Sequence, residues 1–466
     1  MGKKQTKTRR EFIKQSAVAT AGVSMALGSF PSPTVKKVLG ANDKIRMGFI
    51  GIGNRGSQLL EAFMSNQDVE VAALCDVYEP YLLRDRSKVS EKSIKLLGGR
   101  IPRLGEKFEN KPKTFRDFRE LLDNKDIDAV CIATPDHWHA IQTIETLAAG
   151  KDIYVEKPLT ITLLEGRKMV EAHSRTNRIV QVGLNRRGSD IYQKLAKEIQ
   201  NGRIGKVVTA RAFRISNMYP KGIGKLQPED PPAGLNWDMW LGPRAKRPFQ
   251  YNMAPYFFRW WSDYSTQMGN WGVHYMDVIR WLAGETAPVA VSAHGGHFFV
   301  DDDRDIPDTM EVTFEFKSGM LLKFGIYEAS SGGGIPDGEI EIAGQKGTLR
   351  VRQNGYKIIP SQAGQFQDWD KLIEPEESTI EANLQYDSEN STYNLVRNFL
   401  DCIKSRKTPW CPLEEGHRST SFAHLANIAL KTKKRLEWDP VRERITNDEA
   451  ANSHLFYEYR SPWKLV

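Results

Sequence analysis

Six residues, Gly51-Ile52-Gly53-Asn54-Arg55-Gly56, constrain the fold of this 466-residue chain more than any others. An apolar run over residues 44–50 leads into them. Residues 57–64 follow with Leu59, Leu60 and Phe63 at helical spacing. The glycines therefore sit on a strand–turn–helix. The first permits the tight turn, the second lets a pyrophosphate approach the backbone, and the third lets helix and strand pack closely. A second strand, residues 69–75, ends at Asp76, 20 residues after Gly56. A carboxylate there accepts hydrogen bonds from an adenosine ribose. The pattern predicts a dinucleotide cofactor. Asp76 repels a 2′-phosphate and so favours NAD over NADP, although Arg84 and Arg86 follow close enough to swing in.

The alternation continues. Helix-like residues 115–122, 139–149 and 163–173 separate buried strands at 129–133, 153–155 and 179–182. This rhythm predicts an α/β Rossmann domain, a parallel doubly wound sheet, over residues 42–187. Ligands of such a sheet sit outside the carboxyl ends of its strands. Three segments leave those ends: Thr134-Pro135-Asp136-His137-Trp138-His139, Glu156-Lys157-Pro158 and Asn185-Arg186-Arg187. Beyond residue 187 the texture changes. Strands at 207–213, 310–316, 321–326, 339–342 and 348–351, with one helix at 267–283, predict an α+β domain over 188–390 built on an open, mainly antiparallel sheet. Helices at 394–404 and 418–431 and a polar, aromatic tail make up 391–466 and are expected to pack back onto the body.

Composition matters mainly through where the charge lies. The net charge is +8, but residues 1–41 hold eight Lys/Arg and one acid, which leaves the rest within one charge of neutrality. A nucleic-acid-binding body is therefore not expected. The basic segment contains Arg9-Arg10-Glu11-Phe12 followed by a small-residue apolar stretch over 17–30, too short to span a bilayer. That order predicts a twin-arginine export signal, removed somewhere between residues 30 and 41, with the export machinery as a partner and the periplasm as destination. Four cysteines in so long a chain exclude a disulfide scaffold, and no zinc, haem or iron–sulfur spacing occurs. Asp301-Asp302-Asp303 lacks the further acids and turn glycine of a calcium loop and is expected to be a solvated loop, so no metal is predicted.

Together with Gly272-Val273-His274-Tyr275-Met276-Asp277, the three motifs at 51–56, 134–139 and 156–158 resemble those of the Gfo/Idh/MocA oxidoreductases. These are the family of glucose–fructose oxidoreductase and inositol dehydrogenase. The resemblance covers everything after residue 43, and residues 236–243 and the tail are similar to a secreted bacterial branch. It implies hydride transfer at a sugar or polyol carbon, a catalytic Lys157, often followed by a cis proline, and a catalytic His274. It also implies that Gly51, Gly53, Asn54, Arg55, Gly56, Asp76, Thr134, Pro135, His139, Glu156 and Lys157 surround the cofactor, and that Arg187, Asn270 and Asp277 face substrate, to which aromatic density adds Trp260 and Trp261. On a regular helix Asn270, His274 and Asp277 share one face. The chain departs from the family at Asn270, where inositol dehydrogenase-like members carry Asp. An Asp there raises the basicity of the imidazole, whereas Asn only orients it, with Asp277 as a partial substitute.

Trp237, Trp240, Trp260, Trp261, Tyr256 and Tyr264 are dense enough for carbohydrate stacking, with a domain core or an oligomer interface as the alternative. Three functions follow as expectations. The first is an exported NAD-dependent oxidoreductase acting on a sugar, polyol or glycoside, with tightly held cofactor and a homo-oligomer formed through the open sheet. The second is a redox glycoside hydrolase that oxidises, eliminates and re-reduces. The third is a non-catalytic sugar-binding protein that keeps the fold.

Overall fold

A computed structural model describes residues 44–465 apart from 333, 337–338, 353–354 and 380–385. The expected twin-arginine signal lies outside these residues. Within them, six parallel strands form one sheet in the order β3-β2-β1-β4-β5-β6, with β1 (Ile45–Ile50), β2 (Val69–Cys75), β3 (Lys113–Phe115), β4 (Ala129–Ile132), β5 (Asp152–Val155) and β6 (Val180–Val182). The reversal of order between β1 and β4 is the switch point at which a doubly wound sheet opens a crevice.

The strands β1, β2, β4, β5 and β6 are buried on both faces, so their side chains feed two cores. Met47 and Phe49 pack with Leu59 and Phe63 of the helix Asn54–Met64 and with Leu395 and Phe399 of the late helix Tyr386–Ser405. Ile50, Val130 and Ile132 pack on the opposite side with Phe118, Ile141 and Leu147. Phe63 is the hub of the first core, edge-on to Phe49, Tyr154 and Phe399 at centroid distances of 5.5, 5.7 and 6.1 Å. The late helix thus completes the dinucleotide domain from far along the chain. The stretch expected to be a helix from residue 115 divides into the short strand β3 and a helix, Phe118–Asp123. Asp117 caps that helix by accepting from the Arg119 N–H at 2.9 Å, which delays its start.

A ten-stranded sheet carries the second half. Its ribbon includes β7 (Val207–Ile215), β8 (Ala290–Gly296), β9 (Thr309–Glu315), β10 (Leu321–Tyr327) and β11 (Ile340–Gly344). β7 and β10 run parallel and the other pairs antiparallel. Alternation along the strands buries Ala210, Val312, Phe314, Leu322 and Phe324 against helix residues such as Leu195, Ile279 and Phe422. The opposite face carries Arg211, Glu311, Leu321 and Lys323, all exposed. The aspartate run is not solvated as a unit. Asp302 is buried in a bidentate pair with Arg304 at 2.8 Å, while Asp303 accepts from the Leu226 N–H and from Asn252. No helix among the described residues is long and apolar enough to cross a membrane.

Candidate active site

A cleft of about 510 Å³ opens at the carboxyl ends of β1, β2, β4 and β5, within the ~300–1,000 Å³ range of small-molecule sites. Gly51, Gly53, Asn54, Arg55, Asp76, Thr134, Pro135, Glu156 and Lys157 line it from the parallel sheet, and Arg214, Trp260, Gln267, Asn270, Trp271 and Glu328 from the second half.

The glycine turn fits a dinucleotide. Gly51 has φ +80°, and a Cβ on Gly56 would lie 2.0 Å from the Gly51 carbonyl oxygen, so both positions are closed to any side chain. A Cβ on Gly53 would meet only the Tyr81 ring at 3.5 Å, so the space beside it belongs to the cleft. No side chain caps the helix that Gly53 starts. Its first N–H groups remain available for an anion, which the helix dipole also favours. Asp76 holds one oxygen on the Ile52 N–H and the other on the Tyr78 N–H, both at 2.9 Å. That fixes the carboxylate while leaving lone pairs for two ribose hydroxyls. Arg84 does not swing toward it. It is buried, donates to the Ile52 carbonyl at 2.8 Å and to Ser57, and is paired with Glu106.

Arg55 spans the turn to Glu156 at 2.8 Å, and Glu156 in turn accepts from the Lys157 N–H at 3.1 Å. The glycine turn and the Lys157 segment are thereby one charged unit. The Lys157–Pro158 peptide is cis. His139 lies under that segment. It is buried, with Nδ1 2.8 Å from the Pro158 carbonyl and Nε2 2.9 Å from the Thr134 carbonyl, and it does not line the cleft. The cofactor contact expected of His139 is thus replaced by a brace joining the two loops that form the cleft wall.

Lys157 Nζ donates to the Asn270 carbonyl at 2.9 Å and to Asn270 Oδ1 at 3.2 Å. Asn270 therefore serves Lys157 and not His274. The reason lies in the backbone. Met268–Gly272 is a π-helical turn preceding the α-helix Val273–Ala283, and the wider turn breaks the regular i, i+4 relation between Asn270 and His274. The Asn270 amide donates to Gln267 Oε1 at 3.3 Å, and Gln267 Nε2 donates to Glu328 Oε1 at 2.9 Å. A carboxylate only accepts, so this chain has a fixed polarity. Glu328 turns the Gln267 amide, Gln267 turns Asn270, and Asn270 presents its oxygen to the lysine. Trp260 Nε1 and Arg304 hold the other Glu328 oxygen at 2.9 and 2.5 Å.

Burial lowers the Lys157 pKa to about 8, against the pull of Glu156. Burial, and then the charge of Lys157, push the His274 imidazole well below its ordinary value. Its Nδ1 is buried without a hydrogen-bond partner. Burial also raises the Asp136 carboxyl, which accepts from Ser265 in the cleft wall.

The remaining residues expected to face substrate divide. Trp260 lines the cleft, whereas Trp261 is buried in an aromatic core with Phe258 and Tyr264 and donates to the Asn252 carbonyl at 2.8 Å. Arg187 and Asp277 are buried on each other at 2.8 Å, with Glu415 and Ser419 completing the network. They tie the helix Val273–Ala283 to the helix Leu413–Thr432 and are not brought to the cleft. Asp136, Arg214, Arg259, Gln267 and Glu328 were not expected. Asp136 lies inside the quoted motif at 134–139 and Arg259 beside the quoted Trp260, but Gln267 and Glu328 meet from positions 61 residues apart.

A parallel switch-point sheet with an uncapped glycine turn, joined to an open mixed sheet across one cleft, defines a dinucleotide-binding protein of two-sheet architecture. Three models of one family match the chain: "Oxidoreductase family, NAD-binding Rossmann fold" at residues 45–184, "GFO/IDH/MocA C-terminal domain" at 244–350, and "Oxidoreductase family, C-terminal alpha/beta domain" at 373–465. The chain belongs to the Gfo/Idh/MocA oxidoreductase family. It is 34% identical over 189 residues to a glycosyl hydrolase family 109 protein of Shewanella baltica, a match covering 36% of this chain and 38% of that relative. The WlbA dehydrogenase from Bordetella pertussis, solved with NADH and UDP-GlcNAcA, shares the fold at TM-score 0.59 and 18% identity, covering 85% of this chain and 99% of that one. A levoglucosan dehydrogenase solved with NADH and levoglucosan shares it at TM-score 0.60 and 17% identity, again covering 85% and 99%.

Proposed function

We propose that this chain is an NAD-dependent oxidoreductase that moves hydride at a hydroxyl-bearing carbon of a sugar, polyol or glycoside. One observation carries the proposal: an amine whose pKa burial brings to about 8 stands in the same cleft as the uncapped glycine turn and Asp76. Bound NAD supplies the hydride acceptor. Lys157 takes the hydroxyl proton as the carbon is oxidised, and as an ammonium returns it in the reverse direction. A pKa near working pH suits both tasks. Asn270, oriented through Gln267 by Glu328, keeps Nζ in one place while leaving it neutral at modest cost. His274, held neutral by burial and absent from the cleft lining, is not the base. Trp260 offers an apolar ring face to sugar C–H groups. Asp76 and the occupied Arg84 favour NAD over NADP.

The likeness to a glycosyl hydrolase family 109 protein supports a second reading, in which oxidation acidifies a neighbouring C–H, the aglycone leaves by elimination, water adds to the unsaturated ketone that results, and the ketone is reduced again. Product analysis on a panel of glycosides separates the two. A free keto sugar with intact glycoside indicates net oxidation, and released aglycone without net redox change indicates cleavage. The twin-arginine segment extends the proposal to export of the folded chain, with cofactor loaded beforehand and retained through the cycle. The exposed face of the ten-stranded sheet is the surface proposed for homo-oligomer formation.

A further inference from the structure

We infer that the substrate carries an oxyanion on its sugar ring, a carboxylate or an ester of sulfate or phosphate, and that Arg214 and Arg259 receive it. The inference rests on the sugar-site reading above and narrows its substrate class.

Buried arginines in this protein are ion-paired as a rule. Arg84 pairs with Glu106, Arg187 with Asp277 at 2.8 Å, and Arg304 with Asp302 at 2.8 Å. Arg214 and Arg259 stand half-buried in the cleft wall. Neither forms an ion pair among the described residues, and both are held instead by aromatic faces. The Arg214 guanidinium lies 3.7 Å from the centroid of Trp271, and that of Arg259 lies 4.3 Å from Tyr256 and 4.5 Å from Phe258. Stacking of this kind fixes the plane of a guanidinium and leaves its N–H edge free, a preformed fork for a carboxylate or phosphate-like group. Arg214 Nε is buried with no partner, a group whose desolvation remains uncompensated. Arg259 spends one N–H on the Tyr256 carbonyl at 2.7 Å.

The acids of the same cleft are already engaged. Asp76 sits on two backbone N–H groups, Asp136 on Ser265, Glu156 on Arg55, and Glu328 on Arg304, Trp260 and Gln267. The cofactor's own phosphates have the glycine turn. Arg100, whose carbonyl accepts from Asn54 Nδ2 at 3.0 Å and whose guanidinium lies 5.5 Å from the Tyr256 centroid, is exposed and is assigned to neither role. Arg214 is stacked on the residue next to Asn270, whose oxygens hold the Lys157 ammonium. An anion on Arg214 therefore anchors a sugar whose reacting hydroxyl reaches Lys157.

The test is binding to the NAD-loaded full chain, followed by tryptophan fluorescence. Matched methyl glycosides of gluco, galacto, manno and N-acetylated configuration are compared with their uronic acids and their O-sulfated forms. A charged hydrogen-bonded contact of this kind changes affinity by about 10- to 150-fold. At least one acidic sugar is expected to bind tighter than its neutral counterpart by that factor. Arg214→Gln is expected to abolish the preference, with Arg259→Gln reducing it. Tighter binding of a uronate identifies a carboxylate, and of an O-sulfated sugar a sulfate-like ester. No preference in any pair, or a preference that survives both substitutions, overturns the inference. So does loss of NAD retention in Arg214→Gln without loss of preference, which assigns the arginine to the cofactor. Acidic-sugar binding without hydride transfer to any sugar would overturn the proposed reaction and leave the anion site standing.

Discussion

Asn270→Asp reverses the expectation that the family pattern suggests. Asn270 Oδ1 stands 3.2 Å from Lys157 Nζ, so the substitution sets a carboxylate against the ammonium and not against the imidazole. An opposite charge at this range raises a lysine pKa by about one to three. Lys157 starts from about 8, so it moves to about 9–11 in the variant. The second new oxygen faces Gln267 Oε1, and Gln267 cannot turn away without presenting its own oxygen to Glu328. The neutral amine is the base, so kcat/KM for oxidation rises with pH through the lysine pKa and levels off above it. The assay is that profile in the oxidation direction, from pH 6 to the alkaline limit of stability. The ascending limb is expected near pH 8 in the wild type and near 9–11 in the variant. At pH 7.5 the loss is about 10- to several-hundred-fold, with activity recovering at high pH. A limb that stays near 8 or moves down would refute the assignment of Asn270 to Lys157.

Lys157→Ala is expected to lower turnover by about 10²–10⁴-fold while purified protein still releases near-stoichiometric dinucleotide on denaturation. A loss below tenfold removes it from the chemistry. Gly56→Ala drives a Cβ to 2.0 Å from the Gly51 carbonyl and is expected to cost about 1–3 kcal/mol or more of stability, read as a lower unfolding midpoint. Gly53→Ala is expected to fold normally and to lose cofactor on dialysis, and an equal loss of stability in the two would defeat the distinction between them. Replacing Arg9 and Arg10 together by Lys keeps the charge and is expected to leave precursor inside the cell, so normal periplasmic accumulation would remove the export assignment.

Much of the fold was legible because periodicity and glycine spacing are local signals. The strand–turn–helix at 45–64 and Asp76 appear where their residue types require them, since a backbone turn that close tolerates no side chain at Gly51 or Gly56. Strand β3 was not legible: three residues at a sheet edge, none fully buried, leave no alternation to read. The site was half legible. Lys157 follows a strand at the carboxyl edge, so its position was fixed by the sheet. His139 was misread because a histidine at a helix start gives no sign of whether it faces a ligand or two carbonyls. Arg187 and Asp277 were misread because a helical wheel assigns a face but not what that face meets. The π-turn at Met268–Gly272 moved Asn270 from His274 to Lys157, and a heptad-like count assumes a regular helix. Glu328 reached the lysine only through two amides contributed by a different element, a path with no trace in local sequence.

Transfer of the label itself is the most direct test. The purified, cofactor-retaining chain is incubated with sugars and glycosides deuterated at their carbinol carbons, and the released dinucleotide is weighed by mass spectrometry. Deuterium on the nicotinamide ring with at least one substrate, appearing about 10²–10⁴-fold more slowly in Lys157→Ala, is the expected result. Retained NAD that never acquires label from any sugar in the panel, while acidic or neutral sugars still bind the cleft, would contradict hydride transfer and leave a sugar-binding protein on an oxidoreductase fold.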